Sequence, residues 1–442
     1  MKKRSVGILL TVAFLFLAGC AGNGEGVSSE AGASSAPETA SSQAEASSQG
    51  AVSSQTVVSS QASATSSASK PVSSSEGEFV TSQSSRPQQS RPSNSDPNDG
   101  IITLMALGDN LFHESVYKDG LQSDGTYRYE HYYEYLKDEI AGADIAVINQ
   151  ETLIGGKKLG YSGWPAFNSP DEVGHTLVDL GFDVVTMANN HMLDKGEAGV
   201  LGNVAFWKKN YPDILVPGVY ESKADRDTIR ILEREGVKIA FLAYTYGANG
   251  NKCPSGKGYL LNFIDRDLIR KDVERAKELA DGVILALHWG IEYRHQPTAE
   301  QKSLAQFCAD LGVTAIIGTH PHVVEPVEWL TGKSGNKMLC YYSLGNLISS
   351  QVVTETMMGA MAKFSLKMED GKLVAFEESV IPTICHYVTV NDVRKTFKLY
   401  PYEMYTAELA AQHGIKAYDS ALTMKWINNT CEQVFGKYFE AK

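Results

Sequence analysis

Long apolar stretches are missing from this chain. The apolar run at its start, Val6–Leu17, is too short to cross a bilayer comfortably, which argues against a conventional spanning helix there. Basic blocks are missing too. Beyond Lys2, Lys3 and Arg4 there is no dense cluster of Lys and Arg, and the formal net charge is −12. That balance argues against a nucleic-acid-binding groove. Cysteine is sparse, with 6 in 442 residues and no close pairing. No disulfide framework is implied, although one bridge among Cys253, Cys340, Cys385 and Cys431 stays open. Cys308 shares a helical face with Leu304, Phe307 and Leu311 and reads as a buried thiol. No internal repeat is found.

What is present begins with an address. The basic start and Val6–Leu17 lead into Leu17-Ala18-Gly19-Cys20, small residues ending at a cysteine, which resembles a lipoprotein lipobox. The resemblance implies cleavage after residue 19, lipid on Cys20 and anchoring at the outer face of a bacterial cytoplasmic membrane. An ordinary signal peptide or a short anchor is the alternative. From 20 to 100 Ser, Ala, Gln and Gly dominate, too polar to offset the entropy of ordering, so this segment is expected to be a disordered tether.

From Ile101 onward, apolar strand-like runs alternate with amphipathic helical ones. Strands are expected at Ile101–Leu107, Asp144–Asn149, Asp183–Ala188, Val237–Tyr244, Val283–His288, Thr314–Gly318 and Met338–Ser343. Helices are expected at 169–181, with Ser169 as N-cap, and at 265–280 and 299–311. A hairpin around Glu369-Asp370-Gly371 and two closing helices follow. This rhythm indicates an α/β protein with buried sheets. We place the main domain at 101–385 and a C-terminal extension packing on it at 386–442.

The carboxyl ends of these strands carry metal-ligand residue types. They deliver Asp109, then Glu151 with Asn149, then Asn190 and His191, then His288, then His320 and His322. A lone histidine at a strand end is usually a hydrogen-bonded structural residue. Five strands doing so together would bury too many costly polar groups without a shared partner. A metal site supplies one. Carboxylate, carboxamide and imidazole without thiolate suit Mn, Fe or Zn. The set suffices for two divalent metal ions bridged by a carboxylate, an arrangement that favours in-line displacement at phosphorus.

The ordered motifs Gly108-Asp109, Asn149-Gln150-Glu151, Asn189-Asn190-His191-Met192-Leu193-Asp194, His288-Trp289-Gly290, Gly318-Thr319-His320-Pro321-His322 and Ser343-Leu344-Gly345-Asn346 resemble those of the CapA family. These are capsule or poly-γ-glutamate biosynthesis proteins related to calcineurin-like metallophosphoesterases. The resemblance implies a four-layer αββα sandwich with mixed sheets. It also implies site roles: Asp109 and His322 on a first metal, Glu151 bridging, and Asn190, His288 and His320 on a second. His191 would protonate the leaving oxygen or bind phosphate, with Asp194 orienting it. The implied partners are membrane-bound capsule polymer synthase subunits and an acidic polymer or phosphate ester. Catalyst and non-catalytic polyanion-binding scaffold are the two functions compatible with this set.

One departure concerns the first metal. The superfamily's usual metal-binding His two residues after the first Asp is Leu111 here, which leaves that ion fewer ligands. His113 could substitute, or be a solvated loop residue. Two further residues are candidates for substrate binding. Asn168 precedes an expected helix start, and Arg294 follows the His288 strand and could contact a carboxylate or phosphate.

Overall fold

The computed structural model describes residues 81–82 and 100–439. The expected signal segment, Cys20 and nearly all of the expected tether lie outside the described residues. The strands, in chain order, are β1 (Thr81–Ser82), β2 (Ile102–Asn110), β3 (Ile145–Gln150), β4 (Val184–Thr186), β5 (Arg230–Arg234), β6 (Val237–Thr245) and β7 (Gly282–His288). They continue with β8 (Ala315–Thr319), β9 (Val324–Thr331), β10 (Lys337–Leu344), β11 (Asn346–Ile348), β12 (Met358–Glu369), β13 (Lys372–Val390) and β14 (Val393–Pro401).

One sheet has the order β1-β5-β6-β7-β8-β10-β9; the other runs β14-β13-β12-β2-β3-β4, with β11 beside β2. Both are mixed. In the first, β6, β7, β8 and β10 are parallel and β9 is antiparallel to β10. In the second, β2, β3 and β4 are parallel and the hairpin strands antiparallel.

Strand periodicity explains the layering. Along β6, Ala240, Leu242 and Tyr244 pack with Ile269, Val273 and Ala276 of the helix Arg266–Leu279 and with Leu304, Ala305 and Cys308 of the helix Ala299–Leu311. The intervening Ile239, Phe241 and Ala243 join the other sheet's Leu104, Ala106, Val147 and Phe364 in one core. Each fully buried Leu, Ile or Phe contributes roughly 1.5–3 kcal/mol. This is the expected sandwich of two mixed sheets with helices outside.

The expected helices form with local adjustments. The Asp265 carboxylate caps its helix by accepting the Leu268 amide (2.8 Å), and Thr298 and Gln301 make a reciprocal capping box. Ser169 is not a cap. The helix spans Asp171–Leu180 with Pro170 at its N-cap, and the Ser169 hydroxyl pairs with that of Thr152 at 2.7 Å instead. β13 continues unbroken through 385, and the next strand, β14, pairs with it, so the sheet extends past the boundary drawn there. Cys253, Cys308, Cys340, Cys385 and Cys431 are free thiols. Among the described residues no helix is long and apolar enough to cross a membrane.

Candidate metal centre

Strand register assembles the centre. Across the second sheet Asn346, Asp109 and Asn149 lie side by side on β11, β2 and β3, and Asn149 pairs in turn with Thr186. Across the first, Thr245, His288 and Thr319 align on β6, β7 and β8. The Asp109 amide donates to the Gly345 carbonyl at 2.8 Å. A Cβ on Gly108 would fall 2.0 Å from that same oxygen, so only glycine allows this close approach beside Asp109.

The two sheet ends meet at Asp109. Its Oδ1 accepts the Asn149 side-chain amide (2.7 Å), and its Oδ2 accepts the His320 backbone amide (3.2 Å) and lies 3.3 Å from His322 Nδ1. His322 Nδ1 is also 3.0 Å from Asn346 Oδ1 and 3.7 Å from Glu151 Oε2. His288 Nε2 sits 3.0 Å from Asn190 Oδ1 and 3.6 Å from Glu151 Oε1, while its Nδ1 faces the Thr319 hydroxyl at 3.0 Å. Glu151, His320 and His322 each offer a donor atom within 4.8 Å of one another, all buried. His320 and His322, flanking Pro321, hold left-handed backbone at φ 99° and 59°. Such conformations cost about 1–3 kcal/mol each and concentrate at functional sites.

The polar accounting leaves buried donor atoms that a cation would satisfy. Both Glu151 oxygens and His320 Nδ1 are buried with no hydrogen-bond partner. Burial, then the neighbouring Asp109, drives the Glu151 carboxyl well above its ordinary range. Burial pushes His288 down, and burial with His322 pushes His320 to about 3. For His322 burial also acts downward, but the Glu151 and Asp109 carboxylates outweigh it and hold the ring at about 9. A divalent cation would let the carboxylates ionise and the imidazoles stay neutral, so the residues fit a metal.

Beside this group, His191 Nδ1 lies 2.8 Å from Asp194 Oδ2, and that oxygen also accepts the Phe167 amide at 2.8 Å. Asn189 supports the turn by donating to the Gln150 carbonyl (2.9 Å) and accepting the His191 amide (3.1 Å).

Two expectations are corrected. Asn168 is fully buried, with its side chain committed to the backbone of Gly155 (2.8 Å), Gly156 (3.1 Å) and Gly160 (2.9 Å); it fastens a loop and has no amide group left for a substrate. His113 lies in the loop before the helix 114–119 but is half-buried, not freely solvated. Its ring packs edge-on against Phe167, its Nδ1 faces the Leu111 carbonyl and the Ser350 amide, and burial lowers it to about 3. Arg294 is exposed beside an open groove of about 540 Å³ with Ile291, His295 and Pro297, apart from the gathered donors.

Other residues were not singled out by sequence. Asn249 contacts both Asn190 (Oδ1 to Nδ2, 3.2 Å) and His191 Nδ1 (Nδ2, 3.3 Å). Tyr246 lays its ring 4.3 Å from that of His320. The Thr-Tyr-Gly-Ala-Asn-Gly run at 245–250 reads as an ordinary turn; its place directly after a strand end was the available signal.

Fold and centre define an α/β sandwich of two mixed sheets with a buried group of Glu and His residues that could hold a metal ion. Within that class, the chain belongs to the bacterial capsule synthesis protein family PGA_cap, whose family model spans residues 103–351. It is 33% identical over 227 residues to the PGA biosynthesis protein CapA of Bacillus subtilis (strain 168), covering 50% of this chain and 55% of that one. It is 29% identical over 279 residues to the capsule biosynthesis protein CapA of Bacillus anthracis, covering 60% and 64%. The chain thus spans less than two thirds of the length of either relative. Similar solved structures include the calcineurin-like phosphoesterase YfkN from Bacillus subtilis, at 14% identity and a TM-score of 0.38 over 75% of this chain and 96% of that one.

Proposed function

We propose that this protein is a membrane-anchored, extracytoplasmic capsule-polymer protein that hydrolyses a phosphate ester at a two-metal centre. Lipid on Cys20 would tether it, and membrane-bound synthase subunits and an acidic polymer of the poly-γ-glutamate kind would be its partners. The observation that carries the reading is the unpartnered, buried Glu151 carboxylate, ringed by His288, His320 and His322 with the His191–Asp194 pair alongside.

Asp109, Glu151, Asn190, His288, His320 and His322 would hold two divalent ions (Mn, Fe or Zn). When bound, these supply positive charge toward phosphorus and acidify water. The protein's own part follows from its hydrogen bonds. Asp194, fixed by the Phe167 amide, would accept a hydrogen bond from Nδ1–H of His191, which orients the ring so that Nε2, when protonated, would donate its proton to the leaving oxygen. Thr319 and Asn346 orient His288 and His322.

The rival reading, a non-catalytic polyanion-binding scaffold, draws on Leu111, which is buried where the metallophosphoesterase superfamily usually places a ligand, and on His113 Nδ1, which faces backbone groups. Metal analysis with turnover of an activated phosphodiester decides between them. The enzyme reading expects metal-dependent turnover. Bound metal with no turnover of any phosphate ester leaves the scaffold.

A further inference from the structure

A second cavity, of about 650 Å³, opens on the far side of Phe167. His113, Ser115, Trp164, Ser350, Arg394 and Lys395 line it, together with Lys118 and the carboxylates Glu114, Asp119 and Asp392. Phe167 stands between the cavity's lining residue His113 and His191. The Phe167 ring stands edge-on to His191 at 4.6 Å and to His113 at 5.3 Å, and Phe167 is pinned by its amide to Asp194. Gln351, next to Ser350, accepts the Asn346 side-chain amide at 2.7 Å, and Asn346 contacts His322.

The charges here are largely assigned to one another, which shows what remains for a ligand. Glu114 pairs with Lys118, and Asp119 Oδ2 accepts the Phe397 amide (3.1 Å) and the Tyr132 hydroxyl (3.2 Å). That leaves Arg394, Lys395 and Asp392 as the remaining charged side chains lining the cavity. Arg394 is held in place by the Ser350 carbonyl and by the Tyr418 ring, 5.0 Å beneath its guanidinium. The Ser115 and Ser350 hydroxyls join each other at 2.7 Å. Over the rim stands Trp164, 75% exposed, an indole that no monomer core requires.

We infer that this cavity is a binding subsite for a carboxylate-bearing polymer chain. Arg394 and Lys395 would pair with successive carboxylates, and Trp164 would cover the methylene stems between them. The inference rests on the capsule-polymer reading but not on catalysis. In an acidic protein of net charge −12, a guanidinium and an ammonium placed beside the reaction centre would select the acidic chain and present its end there.

The test is equilibrium binding of a γ-linked glutamate oligomer to the full chain, with metal content measured in parallel. Trp164→Ala and Lys395→Glu, both at exposed positions, should each weaken binding at least about tenfold, as loss of a charge-assisted or aromatic contact does. Both should keep wild-type metal content and melting temperature. Arg394→Ala should act in the same direction, but it also loses its Ser350 and Tyr418 contacts, so the two exposed variants carry the test. His320→Gly, which strips the metal centre, should bind the oligomer as wild type does. Wild-type affinity in both exposed variants, or no oligomer binding by metal-loaded wild type, overturns the subsite. Absence of metal with oligomer binding that still depends on Trp164 and Lys395 would sink the phosphoesterase reading and leave the subsite standing.

Discussion

His191 and Asp194 face each other across one turn, Nδ1 to Oδ2 at 2.8 Å, and the Asp194 oxygen that meets the imidazole also holds the Phe167 amide. Neither residue belongs to the Glu151–His320–His322 group. His191→Ala should therefore retain bound metal and fold while losing about a hundredfold or more in turnover of an activated phosphodiester, the scale of a general-acid contribution. Asp194→Asn should fall between this variant and wild type, since the ring loses its orienting acceptor but not its Nε2. Equal metal loss in His191→Ala would instead make His191 a ligand.

Removing a donor from the centre should act on metal first. His320 sits at φ 99°, so glycine deletes its imidazole without adding strain. Metal analysis should show His320→Gly losing most of its bound ion. Wild type incubated with Mn or Zn should melt several degrees higher than after chelation, whereas the variant should barely respond; saturation at 100 Kd corresponds to about 2.7 kcal/mol. Equal stabilisation of both proteins would place the ion elsewhere.

Glu325 gives a pH dependence away from the centre. Its carboxyl is buried, accepts only the Gln301 amide at Oε2 (2.7 Å) and is raised by burial to about 8 from an ordinary 4.5. The folded state thus binds the proton more tightly than the unfolded chain. Stability should be fullest below pH 4.5 and fall as pH rises through 8, by on the order of a few kcal/mol. Glu325→Gln removes this titration, so its stability advantage over wild type should grow across that window in denaturant melts. Parallel pH profiles would refute the assignment.

The proposed lipid anchor at Cys20 is tested directly. Cys20→Ala, or inhibition of lipoprotein signal cleavage, should leave an unprocessed or released form, because the apolar run ends directly at Leu17-Ala18-Gly19-Cys20. N-terminal sequencing and detergent partitioning read it out. A mature N-terminus elsewhere, with unchanged partitioning of the variant, counts against lipidation.

Strands buried on both faces were legible because their apolar runs are continuous. β6, β7, β8 and β10 lie within a residue or so of their expected limits, and the chemistry stood out as polar residues ending such runs. The edge strands β9 and β14 were not legible. Glu328 and Lys395 face water there, so alternation with charged residues replaces the apolar run. Asn249 was hidden for another reason. Its contact with His191 spans 58 residues, and nothing local in a Gly- and Asn-rich turn announces a partner that far away. Asn168 misled by position: a carboxamide ahead of a helix suggests ligand binding, whereas three loop backbone groups claim it.

The meeting of Asp109 with the His320 amide joins residues 211 positions apart, one on β2 and the other just past the end of β8 in the other sheet. A cation captured there would act as a rivet through the sandwich. It could enter only after both halves had formed and docked, a late and highly non-local event. Contacts made after the rate-limiting step leave folding speed nearly untouched and slow unfolding instead. The loaded protein should therefore differ from the stripped one chiefly in lifetime: refolding rates alike, and spontaneous opening of the two sheets much rarer.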